Sequence, residues 1–262
     1  MKSFLKKTYH FLFNESTRIQ IKRQQIKLKG LFLKGNNVEC NCCGKTYKSF
    51  LPFGNSERRE NAWCPNCGSL ERTRMLLFYL KNETNVFDSG VKVLHFAPEE
   101  GLKKIFKQLK NPNDYKNGDI NPNFADLLID ITNIQFEDNC FDFVICSHVL
   151  GHVPNEARAM TEMYRVLKPG GIAIILTLLN QKDQPTFENP DIDTPEERLM
   201  NYGESDLLRL HGNDFKERIE AAGFEVEAFD YTDRLDKAQV ERFRLYNPQR
   251  GIIFLAKKII RA

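Results

Sequence analysis

Four cysteines in two pairs set the tightest limit on how this chain can fold. Cys40-Asn41-Cys42-Cys43-Gly44 and Cys64-Pro65-Asn66-Cys67-Gly68 are two C-x-x-C-Gly knuckles separated by twenty residues. Two thiolates in one tight turn can point at a single ion, and the glycine after each pair lets backbone N–H groups turn toward the sulfurs. Two such knuckles complete a tetrahedral site, so the spacing predicts one Zn2+ held by Cys40, Cys43, Cys64 and Cys67. Cys42 would form a C-x-C pair, a poorer fit to the knuckle. Four sulfurs leave no open position on the metal, which makes the site structural. Binding energy on the order of 10 kcal/mol then folds a segment too small to build its own core. Cys140 and Cys146 lie far downstream and read as a turn residue and a buried strand thiol.

The chain has 262 residues, 41% hydrophobic and 28% charged, which places it among ordinary globular proteins of one large or two modest domains. Its charge is uneven. Residues 1–35 carry nine Lys and Arg against one acid, Glu15, so the rest of the chain is net negative although the whole carries +3. Phe4, Leu5, Phe11, Leu12, Ile19, Ile26 and Leu33 are interleaved with these cations, and Asn14-Glu15 can cap a helix. Two readings stand for this arm of residues 1–37. It is a surface for anionic lipid or RNA, or an extension packed on the main domain. No apolar run reaches the roughly 18 residues of a membrane span, and the basic opening lacks the continuous apolar core of a signal peptide. The expected location is the cytoplasm, where reduced cysteines favour metal over disulfides.

Residues 38–69 form the compact cysteine module, and Ser69 caps a predicted helix over 69–83. From Val91 onward, strands and helices alternate, the pattern of a mostly parallel sheet. The predicted strands cover 91–96, 114–118, 126–129, 141–147 and 171–178, with helices at 99–109 and 154–167. Lys168-Pro169-Gly170-Gly171 makes the turn into the fifth strand. Residues 179–212 are polar and without period, and a lid is expected at 181–212. A helix from Phe215 to Ala222 and strands at 224–229 and 251–258 complete the domain over 70–262.

In such a sheet, ligands bind at the carboxyl ends of strands near the point where strand order reverses. Three features fall there: the loop His95-Phe96-Ala97-Pro98-Glu99-Glu100-Gly101, then Asp119, then Asp130-Ile131-Thr132. Each aspartate also suits a plain turn or helix cap. This order of parts, with Phe141–Leu150 and Arg165–Gly171 after it, resembles class I S-adenosylmethionine-dependent methyltransferases. Glu60–Arg72, Val93–Glu99, Asp130–Phe136, Thr194–Arg198 and His211–Phe215 are similar to a bacterial group of them with a preceding four-cysteine zinc knuckle.

The resemblance implies an α/β, Rossmann-like, seven-stranded mostly parallel sheet preceded by a small zinc-binding module. It implies S-adenosylmethionine bound by Phe96, Ala97, Pro98, Glu99, Gly101, Asp119, Asp130, Ile131, Thr132 and His148. By the resemblance Asp119 accepts from the ribose hydroxyls, Asp130 accepts from the adenine amino group, and Glu99 meets the cofactor's ammonium group. The chain also departs from the pattern. Its loop has Ala97, Pro98 and Glu99 where glycines are usual, leaving Gly101. Gly151 stands where Glu is common, and Asp206-Leu207 where an Asp-His pair is common.

An oxygen acceptor profits from a general base. His148, just past the fourth strand, is the first catalytic candidate, with Asp206 and His211 on the lid beside Arg209. The alternative is that His148 packs on the cofactor and His152 bonds a backbone carbonyl. The leading expectation is O-methylation of a small molecule or glycan. Two alternatives stand beside it: an RNA methyltransferase gripping nucleic acid with the zinc module and basic arm, and an inactive cofactor-binding or scaffold protein. Peripheral membrane contact through the arm is also open.

Overall fold

The computed structural model describes residues 14–54, 58–180 and 183–259. Residues 1–13 of the basic arm and the first two residues of the expected lid lie outside the described residues. The first described element is α1 (Glu15–Leu31), which Asn14 caps by accepting from the Thr17 N–H, as its position predicted. The helix lies against the body. Glu15 accepts from the side-chain amides of Asn121 and Asn123, Arg23 pairs with Glu100 at 3.1 Å, and a Cβ on Gly30 would meet Pro65 at 2.9 Å. Over this stretch the arm touches the body through these contacts, and Gly30 is its one buried residue among those described. No helix among the described residues is long and apolar enough to cross a membrane.

The cysteine module follows as two antiparallel ribbons, β1 (Val38–Cys40) with β2 (Lys45–Tyr47) and β3 (Leu51–Phe53) with β4 (Arg59–Trp63). Helix α2 (Glu71–Glu83) starts one residue later than a cap at Ser69 implies, because Leu70 is the cap and its N–H donates to the Thr73 hydroxyl. Ser69 is drawn instead to sulfur, with its Oγ 3.0 Å from Cys40 Sγ.

The expected seven-stranded sheet is present in the order β10-β11-β9-β8-β5-β6-β7. Its strands are β5 (Val93–Phe96), β6 (Tyr115–Asp119), β7 (Leu127–Leu128), β8 (Phe141–Ser147), β9 (Leu167–Leu176), β10 (Phe224–Asp230) and β11 (Ile252–Lys258). All neighbours among β5–β9 pair parallel, and β11 runs antiparallel to both β9 and β10. The connecting helices are α3 (Glu100–Leu109) and α4 (Glu156–Val166) on the parallel half, with α5 (Pro195–Tyr202), α6 (Phe215–Glu220) and α7 (Lys237–Phe243) after it. The fifth strand is longer than predicted. Residues 168–171 bulge out within it, so that Phe141 faces Leu167 while Phe143 faces Ile172.

The two faces of the sheet divide the core by the period of two. Phe143 and Ile145 join a cluster with Met75, Leu76, Leu102 and the module's cysteines. Val144 and Cys146 join the opposite cluster with Met160, Met163 and Phe215. Cys146 is therefore the buried strand thiol that its position predicted. The cysteine module and the first sheet face share one core.

Arg74 ties that core together. It is fully buried, and its guanidinium donates to the carbonyls of Phe243, Ala62, Ser69 and Arg244 while stacking 4.4 Å from the Phe50 ring. Removing it takes a charged donor from four enclosed or half-enclosed carbonyls, and a charge-assisted bond of this kind is worth about 1.5–3 kcal/mol. Arg74→Met is therefore expected to lower unfolding stability by about 3 kcal/mol or more in chemical denaturation. A change under about 1 kcal/mol would show those carbonyls finding other donors.

Candidate cofactor cleft and its flanking cavity

Strand order reverses between β5 and β8, and a cleft of about 590 Å3 opens at their carboxyl ends. Phe96 and Ala97 from the end of β5, Asp119 from β6 and Asp130, Ile131 and Thr132 after β7 line it as expected. His148 closes it from β8. Each aspartate does two jobs. Asp119 Oδ1 accepts the Asn121 N–H at 2.7 Å, and Asp130 Oδ1 accepts the Thr132 N–H and hydroxyl at 2.8 and 2.7 Å. The turn role and the cleft role coincide, since one carboxylate oxygen fixes the loop and the carboxylate still stands on the cleft wall.

The glycine-poor loop is bent at its second cleft residue. Ala97 has φ +43°, in the region glycine favours, and is held there by its N–H donating to Gly118 O at 2.8 Å. The remaining expected loop residues do not reach the cleft wall. Pro98 is buried behind it. Glu99 caps α3 and turns under the loop, where it accepts from Ser147 Oγ at 3.1 Å and lies 3.6 Å from Arg72 and 3.8 Å from His95. Burial works against its charge, yet His95 and Arg72 hold its carboxyl below the usual range. Gly101 serves the cysteine module: a Cβ there would lie 3.3 Å from both Cys42 Cβ and Cys67 Sγ. Its smallness lets α3 press onto the knuckles.

The four predicted cysteines converge. Cys40, Cys43, Cys64 and Cys67 have all sulfurs within 4.8 Å of one another, with Cys40–Cys67 at 3.5 Å and Cys43–Cys64 at 3.7 Å. Tetrahedral Zn–S bonds of about 2.3 Å place sulfurs about 3.8 Å apart, so the set fits the ion. Gly44 and Gly68 take positive φ, and their N–H groups bond Cys40 O and Cys64 O, which makes the two tight turns. Cys42 stands outside the set, its sulfur toward Asn41 Oδ1.

His148 sits at φ +56° with its N–H bonded to Leu176 O and its Nε2 buried without a hydrogen-bond partner. Burial, reinforced by the charges of Arg72 and Arg250, pushes its pKa well below the usual value, so the ring is neutral at pH 7. It lines both the cleft and a second cavity of about 200 Å3, whose wall also holds Arg72, Arg250 and Glu204. Asp206, at the rim, also faces both spaces. His152 Nδ1 lies 3.1 Å from the Asp206 backbone carbonyl and 3.6 Å from its carboxylate. The expected carbonyl bond is thus present.

His211 and Arg209 are not free lid residues. His211 is fully buried, with Nδ1 at 2.7 Å from Thr177 Oγ1 and Nε2 at 2.6 Å from Glu156 Oε2, and it lines neither cavity. Burial lowers its pKa against the pull of Glu156. Arg209 bonds the carbonyls of Leu150, Val153 and Pro154 and the Glu188 carboxylate. The expected irregular lid contains α5, begun by a Thr194–Glu197 capping box with Pro195 in the first turn and ended by Gly203 at φ +84°. Its far end is pinned by pairing of Leu179 with His211 and Phe187 with Leu210. Sequence reasoning missed Arg72, Arg250 and Glu204. For Arg72 the signal was its place five residues after Cys67, which fixes it near the module.

Gly151 and Leu207, the two departures on this side of the cleft, touch each other. A Cβ on Gly151 would lie 2.8 Å from Leu207 Cδ2, and Leu207 is buried with Leu178 and Tyr202. Both line the second cavity.

Comparison with known proteins agrees with this architecture. Residues 85–175, from before β5 into β9, match the family described as "Methyltransferase domain". The demethylmenaquinone methyltransferase of Staphylococcus epidermidis is 44% identical over 58 residues, 22% of each chain. A ubiquinone/menaquinone biosynthesis C-methyltransferase of Haemophilus ducreyi is 29% identical over 130 residues, 47% of this chain and 46% of that protein. The matches thus span less than half the length of these curated relatives. A chain of the solved complex between the Haloferax volcanii Trm112 methyltransferase activator and a methyltransferase superposes with a TM-score of 0.51 at 15% identity. It covers 73% of this chain and 92% of that one. Residues 85–175 are therefore similar to a methyltransferase domain, and the chain shares the fold of that solved chain. The cysteine module lies outside the matched family segment.

Gly151→Ala is expected to cost about 1–3 kcal/mol of stability through overpacking on Leu207. Adding Leu207→Ala should recover part of that loss, with a coupling of at least about 0.5 kcal/mol in a double-mutant cycle. Additive losses would show that the two residues do not press on each other.

Proposed function

We propose that this protein is an S-adenosylmethionine-dependent methyltransferase acting on an oxygen of a small molecule or glycan. The observation that carries the reading is the placement of Asp119 and Asp130 at successive strand ends on one cleft wall, with neutral His148 at the junction to a polar second cavity. In this reading Asp119 accepts from the ribose hydroxyls, Asp130 accepts from the adenine amino group, and Ile131 packs on the ring, all three being residues that line the cleft. Bound there, the cofactor supplies a methyl group already activated by its sulfonium charge. The chain's own task is alignment and proton removal. In this reading His148, at the junction of the two spaces, takes the proton of an acceptor hydroxyl, against the burial and the arginine charges that disfavour its imidazolium. The second cavity, at about 200 Å3, suits a small acceptor or the end of a larger one.

The reading is tested by cofactor binding. Charge-assisted hydrogen bonds are worth roughly 1.5–3 kcal/mol, so Asp119→Ala should weaken S-adenosylmethionine binding at least about tenfold in calorimetry. Unchanged affinity would remove the second strand from the cofactor site.

We also infer a structural Zn2+ in the Cys40–Cys43–Cys64–Cys67 cluster, supported by its sulfur spacing and by the closed four-ligand set. Purified protein should contain one zinc per chain. Because α3 rests on Cys42 and Cys67 through Gly101, chelation is expected to lower both the melting temperature and cofactor affinity. Loss of metal with stability and affinity unchanged would count against both the structural role and the coupling.

A further inference from the structure

The second cavity contains arginines with unused hydrogen-bonding capacity. The Arg72 side chain is only 14% exposed, yet its ion pair with Glu99 is 3.6 Å long, and its Nε is buried without a hydrogen-bond partner. Among the described residues its guanidinium makes no hydrogen bond within normal length. Arg74, two residues on and fully buried, bonds four carbonyls. A guanidinium has five donors, and enclosing them without acceptors costs free energy. Arg250, 13% exposed, spends one nitrogen on Glu204 at 3.1 Å. Both line the same cavity as His148, whose Nε2 is also unpartnered. Arg59, with its Nη2 buried and unpartnered, lines the adjoining space of about 400 Å3, which shares Leu178, Glu204 and Arg250 with the smaller cavity.

We propose that this cavity holds the acceptor and is built for an anionic one, a carboxylate or a phosphate monoester gripped by Arg72 and Arg250, with its reacting hydroxyl turned to His148. This rests on the methyltransferase reading and adds the substrate class. Guanidinium forks match both anions in a bidentate manner. The like charges of Arg72, Arg59 and Arg250 oppose one another there, and burial disfavours the charged form of Arg72 and Arg250. A bound anion relieves both penalties. The acidic groups on the cavity wall leave room for it. Glu204 is already tied to Arg250, and Asp206 stands 76% exposed at the rim. His152, Glu204 and Asp206 approach one another closely enough for a cation, but Glu204 is engaged by arginine and the neighbouring guanidinium charge repels a metal. The contact between Gly151 and Leu207 makes one part of the wall apolar, and the cationic donors on the rest are the arginines.

The test uses the full chain loaded with S-adenosylhomocysteine, titrated calorimetrically with inorganic phosphate, with benzoate and with the neutral isostere benzamide. Phosphate, benzoate or both are expected to bind, and benzamide is not. Binding of phosphate alone identifies a phosphate monoester, and of benzoate alone a carboxylate. Arg250→Gln, whose side chain lies outside the cofactor cleft, should weaken the anion at least about tenfold while leaving S-adenosylhomocysteine affinity intact. Arg72→Gln should weaken the anion similarly. Failure of both anions on the cofactor-loaded wild type overturns the proposal and leaves the methyltransferase reading standing. So does equal binding of benzamide, or unchanged anion affinity in both variants. Failure of S-adenosylhomocysteine to bind the wild type brings down the cofactor reading, and this proposal with it.

Discussion

The structure turns on the contact between Gly101 and the cysteine cluster. The helix that follows the first parallel strand begins one residue before Gly101, and its first turn rests on Cys42 and Cys67. The cysteines in turn share a core with α2 and with one face of the sheet. The loop Ala97–Glu99, of which Ala97 lines the cleft, is therefore clamped from two sides. The sheet holds it through Ala97 N–H on Gly118 O, and the module holds it through α3. A small module with little apolar area of its own gains its place by this packing and returns rigidity to the loop. Arg74 continues the same tie, joining Ala62 and Ser69 of the module to Phe243 and Arg244 near the end of the chain.

What was legible in the sequence follows from which forces act locally. The central parallel strands were found because Val93–Phe96 and Phe141–Ser147 are short, mostly apolar runs buried on both faces. The cysteine set was found because knuckle spacing is a local geometric code. Asp119 and Asp130 were placed because strand ends carry them to one wall. Gly101 was misjudged for the opposite reason. Its smallness serves a contact with residues more than thirty positions away, and nothing next to it in the chain records that partner. Arg72 and Arg250 were invisible as a pair because 178 positions separate them in the sequence and only the fold brings them together.

The stretch from Leu178 to Asp214 shows how polarity misleads. Its composition reads as solvated loop, yet Arg209 and His211 point inward. Glu156 is buried and receives His211 Nε2 at 2.6 Å and Arg218 at 2.5 Å, with Arg209 at 3.9 Å. Burial raises the cost of its charge, and these three partners outweigh it and keep the carboxylate ionised. Such a network is stable only when every member is satisfied. It fixes the segment against α4, and through Arg209 it fixes the carbonyls of the turn that follows His148. The polar residues here hold the second cavity's wall, leaving Asp206 as the one sequence-predicted catalytic candidate of this segment that reaches the cleft.

Ala97 and His148 share a feature that bears on how the cleft works. Each is a non-glycine residue at positive φ, each directly follows a central strand, and each is pinned by its N–H to a neighbouring strand, Ala97 on Gly118 O and His148 on Leu176 O. Sparsely populated backbone conformations of this kind cost about 1–3 kcal/mol each and persist only where the surroundings over-determine them. Here the sheet does so, since β5, β6, β8 and β9 are joined in continuous parallel register. A glycine at residue 97 would reach the same bend with less strain and more freedom. Alanine gives a loop with fewer alternative shapes, and the glycine-poor sequence thereby stiffens it. The same strain at His148 holds a neutral imidazole at the boundary between the two cavities.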